Sequence, residues 1–195
     1  MIDDAARPFV SRAGEKLAAA LDAFGLTVAG GVCADLGCNV GGFTDCLLRR
    51  GAARVYAVDT GRGALAWTLR KSPRVVVMER TNALHCAVAE PVDLVVIDVA
   101  WTPQERIVPA ALRWLKRPGG GAAGGRIISL LKPHYELAKL RGSRPGRRLT
   151  DEQAAAVCRA VCQRLAGEIC TVRAVMRSAL RGKGGNVEFL LLLGP

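Results

Sequence analysis

Residues 32–43 read Val-Cys-Ala-Asp-Leu-Gly-Cys-Asn-Val-Gly-Gly-Phe, a short apolar run that ends in a loop carrying Gly37, Gly41 and Gly42. Bounded in this way, Val32 to Leu36 fits a buried strand, and Gly42 to Arg50 carries the spacing of a helix. The unit recurs downstream. Apolar segments at Arg54 to Val58, Val75 to Met78, Asp93 to Asp98 and Arg126 to Leu131 alternate with helix-type segments at Gly63 to Arg70 and Pro103 to Leu115. That alternation predicts parallel strands joined by right-handed crossovers, an α/β fold with a doubly wound sheet.

The flanks extend the pattern. Leu17, Ala20, Leu21 and Phe24 recur at helical spacing within Ser11 to Phe24, and Gly25 follows as a stop. Gly119 to Gly125 reads as a turn into the fifth strand, after which Pro133 breaks the chain and a basic loop begins. Thr150 then caps a helix reaching about Leu165, with Gln153 placed to close a capping box. Cys170 to Arg177 and Asn186 to Leu192 are β segments close enough in sequence to be antiparallel neighbours. The expectation is one domain over residues 1–195, with an N-terminal helical segment (1–28) carrying Lys16 and a Rossmann-like core (29–195). Its sheet is seven-stranded, mostly parallel and closed by an antiparallel C-terminal pair. Methyl transfer from S-adenosylmethionine often uses this plan, although a fold alone does not establish a function.

The chain has 195 residues and carries 28 Lys+Arg against 17 Asp+Glu, for a net charge of +11. Half of its residues are hydrophobic, too many for a disordered basic tail. The longest apolar run, Phe189 to Leu193, falls far short of the roughly 20 residues of a membrane helix, and no signal-peptide pattern opens the chain. A soluble, cytoplasmic protein with no membrane partner is expected. The charge is lopsided: residues 1–98 hold 11 basic and 11 acidic side chains, residues 99–195 hold 17 and 6. Lys139, Arg141, Arg144, Arg147 and Arg148 form the densest stretch, which suits a polyanion such as nucleic acid. Seven cysteines without a CxxC pair, beside only two histidines, fit reduced thiols and no metal.

The loop after the first strand has the form GxxxGG, so the GxGxxG turn of dinucleotide-binding folds is missing. Asp59 ends the second strand, where a carboxylate can accept both hydroxyls of a ribose. The two features describe a nucleoside-bearing cofactor without a diphosphate, and S-adenosyl-L-methionine fits.

Four charged residues also need an explanation. Asp98 and Lys132 close neighbouring strands and face one crevice, Glu188 lies in an apolar strand, and Lys16 is one of six lysines in an arginine-rich chain. Singly, Asp98 can cap a turn, Lys16 can sit on a solvated face and Glu188 can point outward. Jointly, two lysines and two acids make a site that binds a sugar hydroxyl and tunes an amine.

The sequence resembles the FtsJ-type ribose 2′-O-methyltransferases, and within them the TlyA, or hemolysin A, group. The resemblance rests on Arg7-Pro8-Phe9-Val10-Ser11-Arg12-Ala13-Gly14-Glu15-Lys16-Leu17, Gly41-Gly42-Phe43-Thr44-Asp45, Ala57-Val58-Asp59, Glu79-Arg80-Thr81-Asn82, Val96-Ile97-Asp98, Leu131-Lys132-Pro133 and Gly185-Asn186-Val187-Glu188-Phe189-Leu190. It implies a Lys-Asp-Lys-Glu tetrad of Lys16, Asp98, Lys132 and Glu188, and a cofactor pocket around Gly37, Gly41, Gly42, Phe43, Asp59 and Asn82, with Asp98 near the reactive methionine portion. It also implies ribosomal RNA, or a ribosomal subunit, as substrate. Relatives usually carry an S4 RNA-binding domain ahead of the catalytic part, at which this chain starts. Cys38-Asn39-Val40, Val99-Ala100-Trp101-Thr102-Pro103 and His134-Tyr135 depart from the family's usual residues.

On this reading Lys132 accepts or steers the proton of a ribose 2′ hydroxyl, Lys16 tunes it, and Asp98 and Glu188 orient both amines. The basic stretch holds RNA phosphates. A non-catalytic RNA-binding or ribosome-assembly factor, or a small-molecule O-methyltransferase, would share the fold. A pore-forming hemolysin finds no hydrophobic segment here.

Overall fold

In the computed structural model, which describes residues 8–117, 119, 124–140, 142 and 148–195, the first apolar run forms β1 (Val32–Leu36). It pairs in parallel with β2 (Arg54–Val58) on one side and β4 (Leu94–Ile97) on the other. Outside β2 lies β3 (Val75–Met78), and outside β4 lies β5 (Arg126–Leu131), both parallel. The last strand, β7 (Phe189–Gly194), inserts antiparallel between β5 and the edge strand β6 (Thr171–Arg177), giving the order β3-β2-β1-β4-β5-β7-β6. The chain winds outward from β1 to β3 and then returns to the far side of β1 as β4. Between β1 and β4 the strand order reverses, and there the loops beyond the carboxyl ends part to leave a crevice.

Helices cover both faces. α1 (Arg12–Ala23) and α2 (Gly42–Arg49) shield one, where Leu17, Leu21, Phe43 and Leu47 meet Val96, Ile128, Leu130 and Leu190. α4 (Gln104–Leu112) and α6 (Asp151–Glu168) shield the other, packing Ile107, Val161 and Leu165 on Val95, Ile97, Ile127, Leu131 and Leu191. Alternate residues of one strand point to opposite faces, so a strand covered on both sides must be apolar throughout. This accounts for Leu-Val-Val-Ile at 94–97, all of it buried.

Some boundaries differ from the sequence pattern. Pro133 does not break the chain but occupies the first position of α5 (Pro133–Leu140), where its missing N–H is not needed. Lys139 therefore stands on a helix rather than in a loop. Of the segment Gly63 to Arg70, only α3 (Trp67–Arg70) is helical. Glu188 lies not within β7 but one residue before it. Arg141, Arg144, Arg147 and part of the Gly119 to Gly125 turn lie outside the described residues. The seven cysteines are all unbridged. Among the described residues, no helix is long and apolar enough to cross a membrane.

The capping box of α6 is complete. Gln153 N donates to Thr150 Oγ1 at 3.2 Å, and Thr150 N donates to Gln153 Oε1 at 3.0 Å. Thr150→Ala is expected to lower stability by about 1 kcal/mol, read as a fall in urea midpoint at constant slope. An unchanged midpoint would show that the cap adds nothing.

Candidate active site

The crevice beyond β1 and β4 contains two adjoining cavities. One, of about 360 Å³, is lined by Lys16, Asp98, Lys132 and Glu188, together with Arg12, Asn39, His134 and Tyr135. The other, of about 600 Å³, is lined by Gly37, Asn39, Asp59, Gly61, Asn82, Asp98 and Trp101, among others. Asn39 and Asp98 face both. The four tetrad residues, scattered over most of the chain, thus meet around one space.

They meet as two ion pairs. Lys16 Nζ lies 2.5 Å from Glu188 Oε2, and the two residues are only 9% and 3% exposed. Lys132 Nζ lies 2.5 Å from Asp98 Oδ1, in a slightly more open position. A buried charge is tolerated when matched and hydrogen-bonded, and removal of one partner strands the other. Lys16 is presented by α1, whose close seat on α2 depends on Gly42, because a side chain there would run into Ser11 and Ala13. Glu188 depends on Gly182, where an added methyl would overlap its carboxylate. Lys132 is fixed by α5, which is tied to α4 by Gln104 N donating to the buried Glu136 Oε1 at 2.9 Å. Burial raises the pKa of that carboxyl, and the Gln104 N–H opposes the rise.

In the larger cavity, Asp59 accepts from Asn39 N at 2.9 Å and from Gly61 N at 2.7 Å, one bond to each oxygen. Each oxygen keeps a further lone pair for a ligand hydroxyl. Gly37 has φ +89, and a Cβ there would lie 2.7 Å from the Asp98 carbonyl oxygen, so only glycine lets the loop pass that close to β4. Asn82 lines the cavity and uses its own Oδ1 to accept from Leu84 N at 3.0 Å. Gly41, Gly42 and Phe43 line neither cavity. Gly41 caps α2 with φ 96, Gly42 faces α1 and Phe43 is buried in the core, so these residues shape the loop from behind. Lys139 and Arg148 are exposed, and the Arg148 guanidinium packs near Gly185, in the turn leading to Glu188.

The sequence reading did not single out Asn39, which has a left-handed φ of 47 and joins the two cavities. Its signal is that Asn, unlike most residues, tolerates this region. Asp35 was also missed. It is fully buried below the loop, with Oδ2 accepting from Thr44 Oγ1 at 2.7 Å and Oδ1 without a partner among the described residues. Burial, reinforced by the nearby Asp98 and Asp59 carboxylates and opposed by Thr44, pushes its pKa up to about 7.

The sequence pattern of the FtsJ-like methyltransferases matches residues 9–195. The chain belongs to that family. The 16S/23S rRNA (cytidine-2'-O)-methyltransferase TlyA of Mycobacterium tuberculosis H37Rv is 41% identical over 197 residues, covering 99% of this chain and 71% of that relative. A crystal structure from Lactococcus lactis, assigned as a hemolysin, superposes with a TM-score of 0.82 at 32% identity, covering 95% of this chain and 88% of that one. The N-methyltransferase NodS of Bradyrhizobium japonicum, solved with S-adenosyl-L-homocysteine, gives a TM-score of 0.60 at 17% identity over 98% and 90% of the two chains, a likeness of fold alone. In this FtsJ-like chain the sheet is therefore the seven-stranded, Rossmann-like sheet of methyltransferases.

Asp35 yields a stability prediction. An unfolded aspartate titrates near pH 3.9, whereas folded Asp35 titrates near 7. Between these values the native state keeps a proton that the unfolded chain has lost, so the contribution is full at low pH and declines as pH rises toward 7. Asp35→Asn removes this term. Its urea midpoint, compared with wild type at pH 5.5 and pH 8, is expected to gain relative stability at the higher pH. An equal decline in both proteins would contradict the assignment.

Proposed function

We propose that this protein is an S-adenosylmethionine-dependent RNA ribose 2′-O-methyltransferase, acting on ribosomal RNA or a ribosomal subunit. The observation that carries this reading is the convergence of Lys16, Asp98, Lys132 and Glu188 on one cavity that shares Asp98 and Asn39 with a second, larger one. The larger cavity fits the cofactor: Asp59 offers free lone pairs to ribose hydroxyls, and Gly37 clears the approach. When bound, S-adenosylmethionine supplies an electrophilic methyl group. Family membership and the name of the M. tuberculosis relative support ribosomal RNA as the substrate class.

The chain's own residues then divide the work. The target ribose enters the tetrad cavity, and Lys132, its charge offset by Asp98, donates to the 2′ oxygen and fixes its direction. Lys16 and Glu188 wall the cavity behind it and hold the site's charges in matched pairs. Most of the rate gain comes from holding the oxygen in attack geometry. The basic stretch of Lys139, Arg141, Arg144, Arg147 and Arg148 holds RNA phosphates.

Purified protein is expected to transfer labelled methyl groups to ribosomal subunits lacking them. Lys132→Ala is expected to lose turnover by about 10²-fold or more while keeping cofactor affinity; full activity in that variant would remove the tetrad from the mechanism. A non-catalytic RNA-binding protein would show no transfer by wild type, and a small-molecule O-methyltransferase would act on free nucleosides or phenols. RNA affinity is also expected to fall with salt, less steeply when the five basic residues are neutralised. An unchanged salt slope would make that stretch a solvated surface only.

A further inference from the structure

Asp98 and Asn39 face both cavities, and the side chain of Asp98 is engaged by Lys132. Asn39 is engaged through its backbone alone. Its N–H donates to Asp59 Oδ2 at 2.9 Å. Its neighbours are pinned as well: Cys38 N donates to Val58 O at 3.1 Å, and Val40 O accepts from Ala66 N at 3.1 Å. The residue is therefore held in place on three sides, while its exposed carboxamide has no hydrogen-bond partner among the described residues.

The backbone explains only part of the choice of residue. Asn39 has φ 47, in the left-handed region that Asn enters more readily than most residues. Glycine enters it without a steric cost, and the same loop uses glycine at Gly37 and Gly41, with φ 89 and 96. A third glycine would serve the turn equally well. What Asn39 adds is a carboxamide at the junction of the two cavities.

The chemistry of that group narrows its use. The tetrad already stands as two cations against two anions, and a neutral amide leaves the balance intact. It presents two N–H donors and an acceptor oxygen, a set that suits the oxygens of a sugar better than an ion. Asp59 serves the ribose of the cofactor, so the sugar left without a neutral partner is that of the acceptor nucleotide.

Resting on the function proposed above, we propose that Asn39 is an acceptor-binding residue: its carboxamide bonds the target ribose through the oxygens that flank the 2′ hydroxyl, while Lys132 holds the 2′ oxygen itself. The bond from Asn39 N to Asp59 ties this contact to the seat of the cofactor. One residue then holds the acceptor sugar by its side chain and the cofactor's ribose-binding carboxylate by its backbone, which keeps the 2′ oxygen in register with the methyl group.

The test compares Asn39→Gly and Asn39→Asp with wild type, since both replacements tolerate a left-handed φ. Three quantities are measured: the urea midpoint, the calorimetric affinity for S-adenosylmethionine without RNA, and single-turnover transfer at saturating cofactor to limiting ribosomal subunits from a strain lacking this gene. Asn39→Gly is expected to keep or raise the urea midpoint and to leave cofactor affinity unchanged, while transfer falls about 10-fold, the scale of a lost neutral hydrogen bond. Asn39→Asp keeps the turn and the acceptor oxygens but loses the donors, and its transfer is expected to fall at least as far. Wild-type transfer by Asn39→Gly overturns the inference and leaves Asn39 a turn residue. So does a loss of transfer matched in both variants by a lower urea midpoint. Weaker cofactor binding by Asn39→Gly, with transfer at saturating cofactor intact, assigns the carboxamide to the cofactor and also overturns it. Absence of transfer by wild type overturns the proposed function and the inference with it.

Discussion

A lysine and a glutamate 172 residues apart in sequence meet at 2.5 Å in the interior, and the site is organised around that contact. Neither charge is tolerable there alone. Lys16 is acceptable on the inner face of α1 because the turn before β7 delivers Glu188 to it, and Glu188 is acceptable because α1 is seated. The seat requires Gly42 under α1, and the delivery requires Gly182 beside Glu188. The first helix and the last strand are thus tied by electrostatics as well as by apolar packing, and the tetrad is assembled only when both ends of the domain are in place.

The second pair, Lys132 with Asp98, sits where the sheet changes direction. Asp98 follows β4 and borders both cavities; its side chain meets Lys132 while its carbonyl lies against Gly37. One residue therefore couples the larger cavity to the tetrad. The tetrad is balanced in charge, two cations against two anions, although the second half of the chain is strongly basic. A field that attracts a polyanion from a distance can then act without filling the cavity with unmatched positive charge, which would favour a bound phosphate over a bound sugar hydroxyl.

Much of this was legible in the sequence, because strands covered on both faces are written as apolar runs and a doubly wound sheet as their alternation with helices. All seven strands were anticipated, and the cap of α6 was readable from Thr150 and Gln153 alone. Asp98 and Lys132 were legible because each ends such a run. The errors have local causes. Pro133 reads equally as a breaker or as the first residue of a helix, and nothing near it in sequence reveals that Gln104 will anchor Glu136. The short helix after Gly63 was overextended because glycines and a helical pattern overlap there. Asn39 and Asp35 escaped notice because their roles depend on a backbone angle and on complete burial, which arise only from tertiary packing. Gly41, Gly42 and Phe43 carry the motif but stand behind the cavity wall, since a motif records packing needs as well as ligand contacts.

The central claim is that the residues around this crevice methylate a ribose in the host's RNA. It is tested most directly by mapping 2′-O-methylated nucleotides across the total RNA of the host with and without this gene. At least one ribose methyl in ribosomal RNA is expected to disappear on deletion and to return with the wild-type gene but not with Lys132→Ala. Identical maps in the presence and absence of the gene would contradict it.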